Sequence, residues 1–368
     1  MSWFTIEPRD PLMVRDGRPF GLDTEGARSQ DFPPPSVTAG MVRSRIGFAK
    51  GQDGTFGLSP GQARAISVQG PLLLSLSGPS TEAPTLLLAA PRDCVLFPVE
   101  GREDQWERHR LAPQAVPGEP RPSSLPASLA AVVPVAEMPA AKAAAGPAFW
   151  TAKELESWLA APAPSPDTLE RSRTRPALVH ERRIHVAIDP HTGTAEDGKL
   201  FQTDGLRFEQ HVGPPFQVER LAVAIRCDDP ALRPGLATLG GERRLSVLQP
   251  LASDPTWAAP SLGESRRARV VLLTPALFDS GAIPATIAGA TVVAAAVGRP
   301  QVVSGWDMAV RGPKATRRMA PAGSVYWVEL PANNAPSDWA KKVHFQSISD
   351  QEQDQRDGFG LAAVGVWA

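Results

Sequence analysis

DFPPPSVTAGMVRSRIG, residues 31–47, holds three prolines that stop abruptly at Ser36. A proline run cannot continue as regular structure, so its end marks a helix start, with Ser36 placed to cap the first free amides. Val37, Met41, Val42 and Ile46 then recur at helical spacing, while Arg43 and Arg45 stay polar. Upstream, Trp3-Phe4-Thr5-Ile6 reads as a strand that Pro8 and Pro11 end, because proline donates nothing to a ladder. Between them lies RDPLMVRDGRPFG, residues 9–21, with three arginines, two glycines and two prolines. Strand, loop and amphipathic helix make the first half of a βαβ-type unit and set the class as α+β.

Further along, residues 65–77 and 85–97 are rich in Leu and Val, are bounded by Gly or Pro, and read as buried strands. From about 111 to 166 the composition shifts to Ala, Pro and Ser. It reads as a surface insertion carrying one short helix in TAKELESWLA. Arms at 183–188 and 199–208 flank a turn-rich centre and predict a long hairpin. A strand start over 218–226, core text at 269–273 and 291–297, and a strand at 324–330 complete a second half. The boundary falls near 216, giving halves 1–216 and 217–368.

The 368 residues carry 38 basic and 39 acidic side chains, a net charge of -1, so any charged surface is local. Hydrophobic residues at 42% supply a sizeable core, whereas 39 Pro and 31 Gly disfavour long helical bundles. Cys94 and Cys227 form no CxxC pair, which supports neither a disulfide framework nor a zinc knuckle and points to a reducing cytoplasm. Glu7, Arg9, Asp10, Arg15 and Asp16 interrupt any apolar run at the front, so no targeting signal is expected. The apolar stretch 282–298 contains Pro284 and two glycines and reads as buried core.

GTAEDGKL, residues 193–200, nearly spells a phosphate-binding P-loop, but Leu200 stands where Ser or Thr should hold magnesium. Strand-like text follows where a helix should, and Glu196 and Asp197 oppose phosphate, so a hairpin turn is the better reading. His180 and His185 are five apart with no metal-ligand pattern around them. No GxSxG elbow occurs, and packing explains both cysteines. No metal or cofactor is expected. A metal-independent ribonuclease needs only one general base and a phosphate clamp, and His185, in a basic segment, is its candidate.

Charge is concentrated in two segments. Five arginines against Glu181 give +4 over 171–183, and Arg299, Arg311, Lys314, Arg317 and Arg318 against Asp307 give +4 over 299–318. With 31 arginines to 7 lysines, the chain is rich in planar guanidinium, which forks onto phosphate and stacks on bases. Such runs either solvate a face or meet RNA. Gly240-Gly241 before Arg243 and Arg244, and Gly358 and Gly360 around Phe359, are either plain turns or points where backbone approaches a phosphodiester.

RDPLMVRDGRPFG, FPPPSVTAGMVRSRIG, DPHTGTAEDGKLFQTDGLRF, LGGERRLSVLQP, PAGSVYWVEL and GFGLAAVGVW, in this order, resemble the RAMP-family third subunit of the type III-B CRISPR Cmr complex. The resemblance implies two ferredoxin-like (RRM-like) RAMP domains with long loops, a projecting β-hairpin and the Ala/Pro-rich insertion. It implies a non-catalytic, cytoplasmic protein that holds the 5′ tag of the CRISPR RNA and bridges the large polymerase-like subunit to a backbone subunit. A RAMP endoribonuclease that processes repeat RNA is the alternative. The chain has one Tyr and lacks the aromatic RNP pattern, so loops must contact the RNA. Carried over to this sequence, the contacts are Arg15 and Arg18 in the first loop, the helix start Ser36, Val37 and Thr38, and Arg43. They continue with Gly240, Gly241, Arg243 and Arg244, then Trp306 as a stacker with Arg311, Lys314, Arg317 and Arg318, and the glycine clusters add Gly358, Phe359 and Gly360 as RNA contacts.

Overall fold

The computed structural model describes residues 2–15, 29–76, 84–114, 128–160, 165–211, 218–307 and 311–367, without the side chains of 306–307. The chain divides into two compact units that interleave in sequence: 1–84, 178–253 and 302–317 form the first, and 85–177, 254–301 and 318–368 the second. The expected boundary near 216 therefore falls inside the first unit. Its cause is long-range pairing: strand Val218–Cys227 lies against Ser2–Pro8 on one side and Val68–Ser75 on the other.

In the first unit the sheet runs Gly235–Thr238, Leu245–Pro250, Ser2–Pro8, Val218–Cys227, Val68–Ser75, with every neighbour antiparallel. Thr5 sits opposite Ala224 and Gln249, and Ala222 opposite Leu74. With its four long strands numbered in chain order, the sheet reads 4-1-3-2. Helix Pro35–Lys50 follows the first strand and buries Ala39, Val42 and Ile46, one face at a helical repeat. Ile6, Leu73 and Val223 from three adjacent strands are buried as well. Strand Val179–Ile188 pairs antiparallel with Ala195–Arg207, longer arms than the sequence predicts. The P-loop look-alike falls at this ribbon's turn and in its second arm, where Lys199 pairs with Glu196.

The second unit's main sheet places Thr286–Ile287, Ala290–Ala296, Val325–Glu329, Arg267–Leu272, Leu361–Val366 and Gln346–Ser347 side by side, again antiparallel. Its four long strands also read 4-1-3-2. The stretch 85–97 is two strands, Thr85–Ala89 and Cys94–Val99, broken at Pro91 where proline leaves no donor. The Ala/Pro-rich segment is corrected too. Its start extends strand Arg102–Gln114, and helix Ala152–Ala160 delivers Leu155, Trp158 and Leu159 to the core. Composition averaged over 111–166 hides this amphipathic stretch.

A buried ionic cluster ties this unit together. The carboxylate of Asp93, 0% exposed, accepts from Trp158 Nε1 at 2.8 Å and from Arg269 Nη1. Arg269 also donates to the carbonyls of Trp158 at 2.9 Å and Val366 at 2.7 Å. Arg108 forks onto Asp167 at 2.7 and 2.6 Å and reaches Glu154 at 2.7 Å. Burial, together with nearby Arg269, pulls the Arg110 guanidinium down to about 10, and it stacks 3.5 Å from the Trp158 ring centroid. Burial pushes both cysteine thiols above their ordinary value, so neither is poised as a nucleophile.

His344 gives this unit a pH dependence. Its Nδ1 accepts from the Val364 amide at 3.1 Å, and its Nε2 lies 3.0 Å from the Trp257 carbonyl, an arrangement that fits the neutral ring with its proton on Nε2. Burial lowers its pKa below the ordinary 6.5. A lowered folded-state pKa means the unfolded chain takes up the proton first. The stabilisation is therefore complete above about 6.5 and is lost as pH falls below it. The melting temperature is expected to drop between pH 7 and 5, with a shallower drop in His344→Gln; equal slopes would exclude this histidine as the cause.

Candidate nucleic-acid interface

The first unit carries a groove of about 1040 Å³ between the start of helix Pro35–Lys50, the first loop and the turn after Thr238. Its helical wall is Ser36, Val37, Gly40, Met41, Ser44, Arg45, Phe48 and Ala49, a second face at the same repeat as the buried one. Three arginines, Arg15, Arg45 and Arg233, line it, and none of its described lining residues is Asp or Glu. A groove with one sign of charge raises the local concentration of anions.

The turn connects strands Gly235–Thr238 and Leu245–Pro250, and the Leu239 amide closes it on the Arg244 carbonyl at 2.9 Å. Gly240 at φ 73, Glu242 at φ 55 and Arg243 at φ 51 lie in left-handed backbone. The Gly241 amide donates to the Met13 carbonyl at 2.7 Å, docking the turn onto the first loop. A Cβ at position 240 would stand 2.4 Å from that same oxygen, so only glycine permits the approach. The loop is held in turn by Leu12, bonded both ways to Leu206 at 2.8 and 2.9 Å, and by the Ser29 hydroxyl, which accepts from the Val14 amide at 3.2 Å.

Arg45 fixes the opposite wall. Its guanidinium donates to the carbonyls of Arg233 at 2.6 Å, Pro234 and Leu236. Carbonyls satisfy the donors without cancelling the charge, so the groove keeps the full cation. Gly235, at φ 125, gives it room: a Cβ there would lie 2.9 Å from Arg45 Nη2. On the third side the Lys314 amide bonds the Gly305 carbonyl at 2.7 Å, and the Ser304 hydroxyl donates to the Lys314 carbonyl at 2.9 Å. Ser304 and Gly305 line the groove, which puts Lys314 at its rim.

Arg15, Ser36, Val37, Gly240 and Gly241, named from sequence, thus come together, with Arg243 and Arg244 on the adjoining turn. Arg243 is exposed and has no ion-pair partner among the described residues, whereas Arg244 is drawn to Glu242 at 3.0 Å. Other expectations are corrected. Pro34, not Ser36, occupies the cap position, and no side chain caps the helix. Ser36 lies inside the first turn, because proline's fixed φ starts a helix as well as it ends a loop. The Val37 amide bonds the Pro34 carbonyl at 3.0 Å, and Thr38 is buried with its hydroxyl on Pro35, so the supply of free amides is smaller than expected. No acidic residue stands in that first turn to offset the helix dipole.

Arg43 points away from the groove and clamps the Ile66 carbonyl at 2.9 and 3.2 Å. Gly358, Phe359 and Gly360 form a buried turn in the second unit: Gly358 is the left-handed cap of helix Glu352–Asp357, and Phe359 is 1% exposed. Arg311 and Arg317 are exposed in the first unit and Arg318 in the second. Trp306 pairs through its backbone with Pro313. Arg18 and the Trp306 side chain lie outside the described residues. Sequence reasoning missed Arg45, Arg233 and the half-exposed Phe48, whose ring meets Phe56 edge-on at 5.6 Å. The uncharged repeat Ser36, Gly40, Ser44 was the available signal for this second helix face.

A family model described as CRISPR-associated protein (Cas_Cmr3) matches residues 4–367. No curated protein matches the chain. Among solved structures, one described as the type III-B Cmr-beta bound to cognate target RNA and AMPPnP, state 1, aligns at 16% identity with a TM-score of 0.49, covering 88% of this chain and 86% of that one. Another, type III-B Cmr-beta bound to cognate target RNA, aligns at 18% identity with a TM-score of 0.48 and the same coverages.

Proposed function

The chain belongs to the Cas_Cmr3 family of CRISPR-associated proteins, and from that premise we propose that it is the non-catalytic subunit of a type III-B effector complex that holds the 5′ tag of the guide RNA in the groove of its first unit. The observation that carries this reading is the wall of three arginines, Arg15, Arg45 and Arg233, along one groove. Guanidinium groups meet the phosphates, the Gly240-Gly241 backbone lets the strand approach closely, and exposed Phe48 offers a ring for a base. The shared strand order, 4-1-3-2, supports reading both units as ferredoxin-like RAMP domains. Unit one keeps a helix after its first strand, and unit two places helices Pro336–Val343 and Glu352–Asp357 between its last two long strands. The two-stranded ribbon, with Ile184 and Leu200 exposed, is the projecting element that docks the large or the backbone subunit.

Arg15→Ala with Arg243→Ala is expected to flatten the log-log salt dependence of tag binding by about 1.4, since each single-strand phosphate contact carries ~0.7. Arg317→Ala with Arg318→Ala tests the second basic segment by the same measurement. An unchanged slope in the first pair would remove those phosphate contacts from the account. The endoribonuclease reading makes His185, whose Nε2 lies 2.8 Å from Thr203 Oγ1, the base. Repeat RNA incubated with the protein and EDTA is expected to stay intact; cleavage lost in His185→Ala would overturn the non-catalytic assignment.

A further inference from the structure

A second cleft, of about 830 Å³, lies wholly within the second unit. Two stretches of small residues wall it, held in place where the Ala90 amide bonds the Ala148 carbonyl at 2.9 Å and the Ala144 amide bonds Leu96 at 2.8 Å. Walls without long side chains allow a flat ligand to lie close to backbone. Into this space face Trp106 and Trp150, and neither indole Nε1 has an acceptor. Trp150 is 1% exposed, and a buried indole N–H ordinarily finds a partner. The Arg171 guanidinium lies over the Trp106 ring, 3.8 Å from its centroid, a cation–π pair. Arg92 also lines the cleft, fitted against Gly298, where any Cβ would strike its guanidinium at 2.4 Å. Neither Arg92 nor Arg171 has an ion-pair partner among the described residues, and no Asp or Glu is among the described residues that line the cleft.

We propose that this cleft binds a nucleoside phosphate, free or as one unit of a single RNA strand. The base lies on the Arg171–Trp106 pair and Arg92 meets the phosphate. An acidic peptide would satisfy the two cations but would leave the Trp106 ring unused. The site stands on its own residues and does not depend on the groove of the first unit.

Photocrosslinking of the full chain with an RNA hexamer containing 4-thiouridine, and separately with 8-azido-AMP, tests it, with labelled peptides identified by mass spectrometry. The expected result is label on peptides carrying Trp106 or 144–148, reduced at least fivefold in Arg92→Ala and in Arg171→Ala. Labelling by the hexamer alone assigns an RNA strand, and labelling by azido-AMP as well assigns a free nucleotide. Arg92 is exposed and makes no described hydrogen bond through its side chain, so its variant keeps the test valid even where Arg171→Ala fails to fold. Unchanged labelling in Arg92→Ala, label confined to other peptides, or equal displacement by oligo-glutamate would overturn the proposal. Label on the 36–49 helix reads the groove in the same experiment, so failure at one site is distinct from failure at the other.

Discussion

Gly240→Val is expected to weaken binding of tag RNA by roughly 10- to 100-fold, about 1.4 to 2.8 kcal/mol. A β-branched residue at φ 73 is strained by about 1–2 kcal/mol before any contact is counted. Its Cβ would then stand 2.4 Å from the Met13 carbonyl oxygen and 2.9 Å from Leu12 Cδ1, both part of a loop fixed on Leu206. The turn must move away, the Gly241–Met13 bond breaks, and the side of the groove that carries Arg243 opens. Gly241→Ala is the matched control. Its Cβ would meet Met13 at 3.5 and 3.6 Å, ordinary contact, and its backbone is not left-handed, so affinity is expected within about twofold of the parent. Filter binding of both variants checks this; equal losses would mean that the turn geometry is not what matters.

Asp93→Ala is expected to destabilise the second unit by about 3–5 kcal/mol, the cost of leaving a buried charge without its partner. Removing this carboxylate strips Trp158 Nε1 of its acceptor and leaves Arg269 with only carbonyls, 3% of its side chain exposed. Arg110, 4.0 Å from the same carboxylate, loses its nearest counter-charge. Denaturant unfolding followed by tryptophan fluorescence reads the loss, because Trp158 sits at the centre of the cluster. Asp93→Asn keeps an acceptor for the indole and is expected to fall between parent and alanine. A loss below about 1 kcal/mol in the alanine variant would mean that water or rearranged carbonyls replace the carboxylate.

What the sequence discloses is local. The proline stop at 33–35 and the spacing of Val42 and Ile46 locate the first helix, and alternating text locates both arms of the 179–207 ribbon. What it conceals is long-range. Nothing near residue 218 signals that Val218–Cys227 inserts between strands some 150 and 215 positions upstream, so 216 looks like a boundary although the strand after it completes the first unit's sheet. GFG at 358–360 reads as an RNA-facing loop because glycine text is the same for an exposed turn and a buried cap; packing of Phe359 separates them. The groove itself was half legible. Its glycine turn and first-loop arginine stand out as punctuation and charge. Arg45 looks like an ordinary solvated residue until Arg233, Pro234 and Leu236, nearly 190 positions away, supply its carbonyl partners.

Whether the leading end of the guide strand lies in the groove walled by Arg15, Arg45 and Arg233 is read by placing one photoreactive nucleotide at each tag position in the assembled complex. Adducts from the first nucleotides are expected on peptides spanning 12–15, 36–49 and 239–244, diminished in Gly240→Val. Adducts from every tag position that map to other peptides or other subunits, with these three unlabelled, would contradict it.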